Sequence, residues 1–367
     1  MRIVTILCWL VAAAALTGLA LWFLTGSVFG VGAGRWGFSG WRNGWSFGSS
    51  ISSWEALTGP YEPVGTYNVG LGTVDSISID WTAGNVRIEP HDGPDIRFTE
   101  FAQRQLRDDE KLRFDINGST LTIKFRERGI IGSMPSKRLE VLVPRELSDK
   151  LKLLSAETAS GDIYIDSFEA TTLNAESLSG GVQISNITAR SFDANSTSGS
   201  INITSVWADV IGIESLSGTV RVSETSAGIL KGETTSGNIN VSGAFVSATL
   251  KSLSGRVTLD NAAPGSRLTA ETTSGTLDLT GSFESVDSSS LSGGITVRSS
   301  SVPSSLKASS TSGGVTVAIP DAGAINVYQS TTSGRFSSDI PVTLQSRSGA
   351  QFELSTLSGN IRIQVYR

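Results

Sequence analysis

A Ser-Gly pair that returns at near-constant spacing constrains this chain more than any other feature of its sequence. The recurring glycines are Gly161, Gly180, Gly199, Gly218, Gly237, Gly255, Gly275, Gly293, Gly313, Gly334 and Gly359. The first five are evenly spaced by a step of 19, and the later steps are 18, 20, 18, 20, 21 and 25. A fixed period of roughly 20 residues is the mark of a solenoid. Each repeat is then one unit that cannot bury its own apolar face, and stacking closes the core.

Counting from the glycine (G) gives every position a character. Positions G+2 and G+4 are apolar: Ile163/Ile165, Val182/Ile184, Ile201/Ile203, Val220/Val222, Ile239/Val241, Val257/Leu259 and onward. The residue between them is polar, for example Tyr164, Gln183, Asn202 or Arg221. Apolar, polar, apolar with β-branched residues predicts a strand with one buried face. A second strand precedes the glycine, apolar or small at G−7 (Leu154, Leu173, Phe192, Ile211, Leu230) and G−5 (Ala156, Ala175, Ala194, Ile213), with Ser or Thr at G−3. The inward parity flips across Ser-Gly. A flip needs a corner, and the expectation is that glycine supplies a positive φ there.

Two short strands and a bend per repeat predict one coil of an all-β, right-handed β-helix-like solenoid with about 19 residues per coil. Eleven coils at about 4.8 Å would stack to a rod on the order of 50 Å long. Position G−2 alternates: Leu178, Thr197, Leu216, Thr235, Leu253, Thr273, Leu291, Thr311. With one repeat per coil Leu stacks on Thr; with two repeats per coil Leu stacks on Leu. Duplication of a two-coil unit is a third explanation. One repeat per coil is the expectation taken forward.

Four segments follow from composition. Residues 1–25 hold an uncharged apolar run, Ile3–Leu24, about 33 Å long as a helix and enough to cross a bilayer core. It exceeds a signal-peptide core, and no clean Ala-x-Ala site follows, so a single-pass anchor is expected. The N-terminus is placed in the cytoplasm and the β-domain outside. The single Cys8 lies within this run as an apolar filler. Residues 26–64 are rich in Gly, Trp and Ser and read as a linker; Trp36, Trp41, Trp45 and Trp54 suit a lipid–water interface. Residues 65–150 predict an N-terminal β-cap with a degenerate coil around Gly84, a hairpin signal at Asn117-Gly118, and charges that block edge pairing. Residues 151–367 carry the repeats, and the last strand, Asn360 to Arg367, reads as a terminal capping coil.

Function classes narrow by exclusion. The net charge of −5 comes without a basic block, which argues against nucleic acid as a partner. The single His91 sits in a Pro-His-Asp-Gly-Pro turn. No His/Cys set suits zinc, and no nucleophile–base pair is visible in the sequence. No cofactor, metal site or catalytic residue is expected. One column stands out at G−4: Glu157, Glu176, Asn195, Glu214, Glu233, Lys251 and Glu271. Stacked carboxylates could share a cation or hold a proton; an outward row that keeps the rod soluble is the plainer reading.

The Thr-Ser-Gly and Leu-Ser-Gly motifs with their following Asn-Ile-Asn-Val or Gly-Val-Gln-Ile strands, together with Leu139-Glu-Val-Leu-Val-Pro, resemble the bacterial putative-adhesin β-strand-repeat family over about Thr66 to Arg367. The resemblance implies a cell-envelope protein and transfers no catalytic residue. The expected function is a non-catalytic, membrane-anchored surface module for adhesion, binding or scaffolding, with cell-wall glycan or a surface protein as partner. Two alternatives remain: a polysaccharide lyase or hydrolase on a β-helix, and an envelope-stress accessory acting on a membrane partner.

Overall fold

A computed structural model describes residues 60–126, 135–321, 323–343 and 349–366. The apolar run Ile3–Leu24 and the Trp-rich segment lie outside the described residues. Among the described residues no helix is long and apolar enough to cross a membrane.

The repeats form a parallel β-solenoid. Strand Val182–Ser196 pairs with Ile163–Ser177 on one side and Ile201–Ser215 on the other, each residue opposite its equivalent one repeat away, as Ile184 is opposite Ile165 and Ile203. One repeat therefore makes one coil, and Leu stacks on Thr at G−2. Each coil has three inward faces rather than the two expected. The first is G+2 and G+4, the third G−7 to G−3. Between them Phe168/Ala170, Ile187/Ala189 and Val206 (G+7 and G+9) are also buried. A corner separates the first two faces, where Ser167, Asn186, Ser205 and Glu224 take positive φ of 64°, 56°, 56° and 52°. Left-handed backbone at a polar residue turns the chain, and the ladder skips that position and resumes beyond it, as Ser185 opposes Thr204 and Ile187 opposes Val206.

The expectation that the Ser-Gly glycines supply positive φ is overturned. Gly161 has φ of 148°, and no other glycine of that recurring set takes a positive φ. Glycine is needed for a different reason: the coils touch there. A Cβ on Gly180, Gly199, Gly218, Gly237, Gly255, Gly275, Gly293 or Gly313 would lie only 1.7–2.1 Å from the carbonyl oxygen of the glycine one coil before. No carbon fits at that distance. The G−3 hydroxyl sits beside each contact. Ser177, Ser196, Ser252, Thr272, Ser290 and Ser310 each accept from the N–H of their own coil's glycine at 2.7–3.0 Å. Each also donates to the preceding coil's glycine carbonyl at 3.0–3.4 Å. Two buried backbone groups per coil are satisfied by one hydroxyl, which explains why G−3 is always Ser or Thr.

Both ends depart from chain order. Strands Ser305–Ser310 and Val315–Ile319 pair not with the next coil in sequence but with Gln351–Thr356 and Ile361–Val365. The coil of Ile325–Thr331 and Phe336–Ser338 then packs on the far side of those strands. The last strand is thus the penultimate rung, and the expected capping role falls to residues 325–338. At the other end the coil around Gly84 (Ser76–Ala83, Val86–His91) lies between the first repeat and the later strands Thr120–Lys124 and Lys137–Pro144. Antiparallel strands finish that end: Asp95–Ala102 on Lys137–Pro144, Glu62–Gly70 on Asp95–Ala102, and Arg113–Asn117 on Thr120–Lys124.

Lys137 terminates the glycine column. Its carbonyl would lie 1.6 Å from a Cβ on Gly84, so it occupies the glycine's place in a coil with no coil beyond it. Its side chain is fully buried and crosses the end of the core. Nζ donates to Glu100 Oε1 at 2.5 Å, to the Glu110 carbonyl at 2.7 Å and to the Phe125 carbonyl, and lies 3.9 Å from the Phe125 ring centroid. Burial pulls the ammonium below its usual range against the pull of Glu100. Glu110 closes the loop above through a bidentate pair with Arg104 at 2.7 and 2.8 Å.

Two expectations follow. Gly293→Ala should cost about 3 kcal/mol or more in urea unfolding, because the backbone of the preceding coil must move. Gly294→Ala, one residue along, should be neutral within about 0.5 kcal/mol, since its Cβ finds its nearest neighbour at 3.5 Å. The second expectation concerns pH. The Arg104 hydrogen bonds hold the Glu110 carboxyl down to about 2 despite burial, with the Arg107 N–H assisting. The folded value lies below the unfolded one, so this stabilisation is complete above about 4.5 and lost as pH falls towards 2. Corrected for the intrinsic pH dependence of amide exchange, protection across residues 103–112 should fall over that window, and Glu110→Gln should remove most of that fall.

Candidate functional site

The inward pattern is consumed by stacking, so functional chemistry falls to the outward columns. Parallel register turns each outward position into a row along the axis. The column at G−4 does point outward. Glu157 opposes Glu176, Glu176 opposes Asn195, Asn195 opposes Glu214, Glu214 opposes Glu233, and Lys251 stands between Glu233 and Glu271. Lys251 Nζ pairs with Glu271 at 3.3 Å. Burial, then Glu176 and Asp80, push the Glu157 carboxyl up. The carboxylates form a line, not a pocket, and among the described residues no group of three or more His, Cys, Asp or Glu is arranged to hold a metal ion. Beyond Glu271 the column becomes Ser289, Ser309, Ser355 and Ser330.

His91 is a fastener for its turn. Gly93 N–H donates to Nδ1 at 3.1 Å, so Nε2 carries the proton and donates to the Asp95 carbonyl at 2.8 Å. Among the described residues no nucleophile or carboxylate side chain lies within hydrogen-bond reach of it. Asp166 is similarly occupied: it accepts from Ser185 (2.5 Å), Ser167 and Asn186 (both 2.8 Å) at the left-handed corner. Burial raises its carboxyl, and these three hydrogen bonds outweigh it and hold the group low.

The most distinctive outward feature is the edge at G−2. Leu178, Leu216, Leu253, Leu291 and Leu357 are exposed, at 51, 50, 37, 53 and 54%. Thr197, Thr235, Thr273 and Thr311 sit half-buried between them. In chain order the alternation fails at the end, where Thr311 is followed by Thr332 and only then by Leu357. In space it does not fail. Leu357 N–H donates to Thr311 O, and Thr332 N–H donates to Leu357 O. The displaced last coil puts its Leu between the two threonines. Leu, Thr, Leu, Thr thus persists over ten coils, two rungs or about 9.6 Å per repeat. Duplication of a two-coil unit would not restore the order across a displaced coil, so the alternation belongs to the surface. Periodicity revealed this row in the sequence, but not that it is exposed or that it continues.

The profile of the Toastrack DUF4097 family matches residues 74–275 and 245–364. The chain belongs to that family. The bacterial putative-adhesin resemblance drawn from the Ser-Gly motifs agrees with it. A search of curated proteins returns no match. Solved structures with a likeness include a putative adhesin from Bacteroides fragilis, at 15% identity and TM-score 0.29, covering 82% of this chain and 96% of that one. A putative adhesin from Parabacteroides merdae follows at 13% and 0.33, covering 82% and 95%. A putative lipid binding protein from Parabacteroides distasonis stands at 13% and 0.31, covering 81% and 96%. Toastrack membership accounts for the β-repeat architecture and assigns no residue a chemical role.

Proposed function

We propose that this chain is a non-catalytic cell-envelope module, anchored by Ile3–Leu24, whose solenoid presents a rigid, repetitive surface for adhesion or scaffolding. The observation that carries the reading is the Leu/Thr edge. Five exposed leucines in one straight row cost solubility and contribute nothing to the core, yet the row continues across a coil inserted out of order. Exposed apolar rows of this kind mark interaction surfaces. The apolar run in residues 1–25, long enough for a bilayer, supports the anchor. The lyase or hydrolase reading needs acidic or basic groups gathered in a cleft, and the carboxylates here line up on an outer face. The accessory reading, through a membrane partner, has no residue in the solenoid to favour it.

The test is adhesion by cells that display the full-length chain. Replacing Leu178, Leu216, Leu253, Leu291 and Leu357 by Ser should leave surface abundance unchanged and lower attachment to cell-wall glycan or to neighbouring cells about tenfold. Removing Ile3–Leu24 should release the protein from the membrane fraction. Unchanged attachment by the five-serine variant would sink the proposal.

A further inference from the structure

We infer that the Leu/Thr edge pairs with a second copy of this chain, antiparallel, about a two-fold axis that passes between Leu253 and Thr273. The inference rests on the reading of that edge as the binding surface. Two-fold contacts use the same patch on both partners, so the patch must complement itself. This edge does. Its ten positions begin with Leu178 at the Lys137 end and finish with Thr332 at the other. An even run that starts with Leu and ends with Thr has, when reversed, Thr wherever it had Leu. Leu178 of one copy then meets Thr332 of the other, Thr197 meets Leu357, and Leu253 meets Thr273 beside the axis. Leu216, Leu253, Leu291 and Leu357 each enter the recess above a half-buried threonine, and Leu178 meets the exposed Thr332 at the end of the row. A parallel pair in register would instead set leucine against leucine. The match requires the displaced last coil: in chain order the run would end Thr, Thr, Leu, and its reverse would collide with it.

Charge on the flank points the same way. A two-fold axis of this kind lays each flank against its own reverse. Over the same ten coils the G−4 column carries all its charge in six positions, Glu176 to Glu271, and ends in Ser289, Ser309, Ser355 and Ser330. Reversal places Glu176, Asn195, Glu214 and Glu233 opposite those serines, and Lys251 opposite Glu271. No carboxylate faces a carboxylate. Only the antiparallel pair sets this column against its own reverse, because a parallel two-fold pair exchanges the flanks. The abrupt stop of the acidic column at mid-rod thereby gains a role.

The strip is narrow. An edge about 45 Å long and about 10 Å wide buries on the order of 900 Å² in total, below the about 1,600 Å² of a standard interface. The association is accordingly weak, expected near the micromolar range, and is reinforced when many copies share two facing surfaces.

The experiment uses the full-length chain in detergent with Cys8→Ser. One preparation carries Leu178→Cys, another Thr332→Cys, with different tags, and the two are mixed at about 100 μM, well above the expected dissociation constant, before a short bismaleimide is added. The two positions lie nine rungs, about 43 Å, apart in one copy, so neither preparation should link to itself. The mixture should give a doubly tagged dimer, about tenfold above either preparation alone. Adding Leu253→Asp to both should abolish the product while the circular dichroism spectrum, which reports folding, stays unchanged. Absence of the mixed dimer between folded chains would overturn the pairing. So would linking of Leu178→Cys to Thr197→Cys, the product of a parallel pair staggered by one coil. Attachment lost in the five-serine variant without this cross-link would reject the second copy and leave the edge as a binding surface.

Discussion

Everything in this solenoid depends on how closely one backbone can lie on the next at a single point per coil. Where a glycine rests on the carbonyl of the glycine before it, even a methyl group is excluded. Glycine at this frequency raises the entropy lost on folding, about 0.5–1 kcal/mol per residue relative to alanine. The hydroxyl at G−3 offsets part of that by joining two backbone groups of adjacent coils. Contact and bridge together fix the register, and with the register fixed every outward position becomes a column.

A parallel stack repeats any sequence pattern in space, so its ends are a hazard, with open strand edges and an open core. This chain treats both ends alike. At each, a coil is slotted in beside a segment that is not its neighbour in sequence. The first end adds a lysine where the column would otherwise continue, and holds its charge with Glu100 and two carbonyls. A buried ion pair is a poor source of net stability. Here it ends the stack by making a further coil impossible, since Lys137 carries a side chain where the next glycine would have to lie.

The period, the parity of the strands and the Ser-Gly corner were legible because stacking demands identical residues at identical places. The coil around Gly84 was legible for the same reason. The third face was not. Its signal, Phe168, Ile187 and Val206 at the seventh position after the glycine, was present but followed no special residue, because Ser167, Asn186, Ser205 and Glu224 show no common side chain. The reason for glycine was hidden too: spacing reveals that a side chain is forbidden, but a forbidding φ and a forbidding neighbour leave the same trace. The order of the last coils was illegible in principle from a repeat pattern, since equivalent rungs satisfy the same inward contacts wherever they lie. Only the Leu/Thr alternation recorded the true order, as an apparent error at Thr332 and Leu357. The acidic column was legible as a row, while its ending at Ser289 became meaningful only with the coils in place.

The displaced rung also governs how the molecule can be made. Coils earlier in the chain can settle one on another as they leave the ribosome, each template complete before its successor arrives. The stretch from Ile325 to Ser338 has no such template. Its resting place is formed by strands that begin only at Gln351, so it must wait, or dock wrongly and be expelled, until those strands have been made. Truncation before Gln351 would therefore do more than trim the rod: it would remove a keystone and strand the segment meant to lie above it.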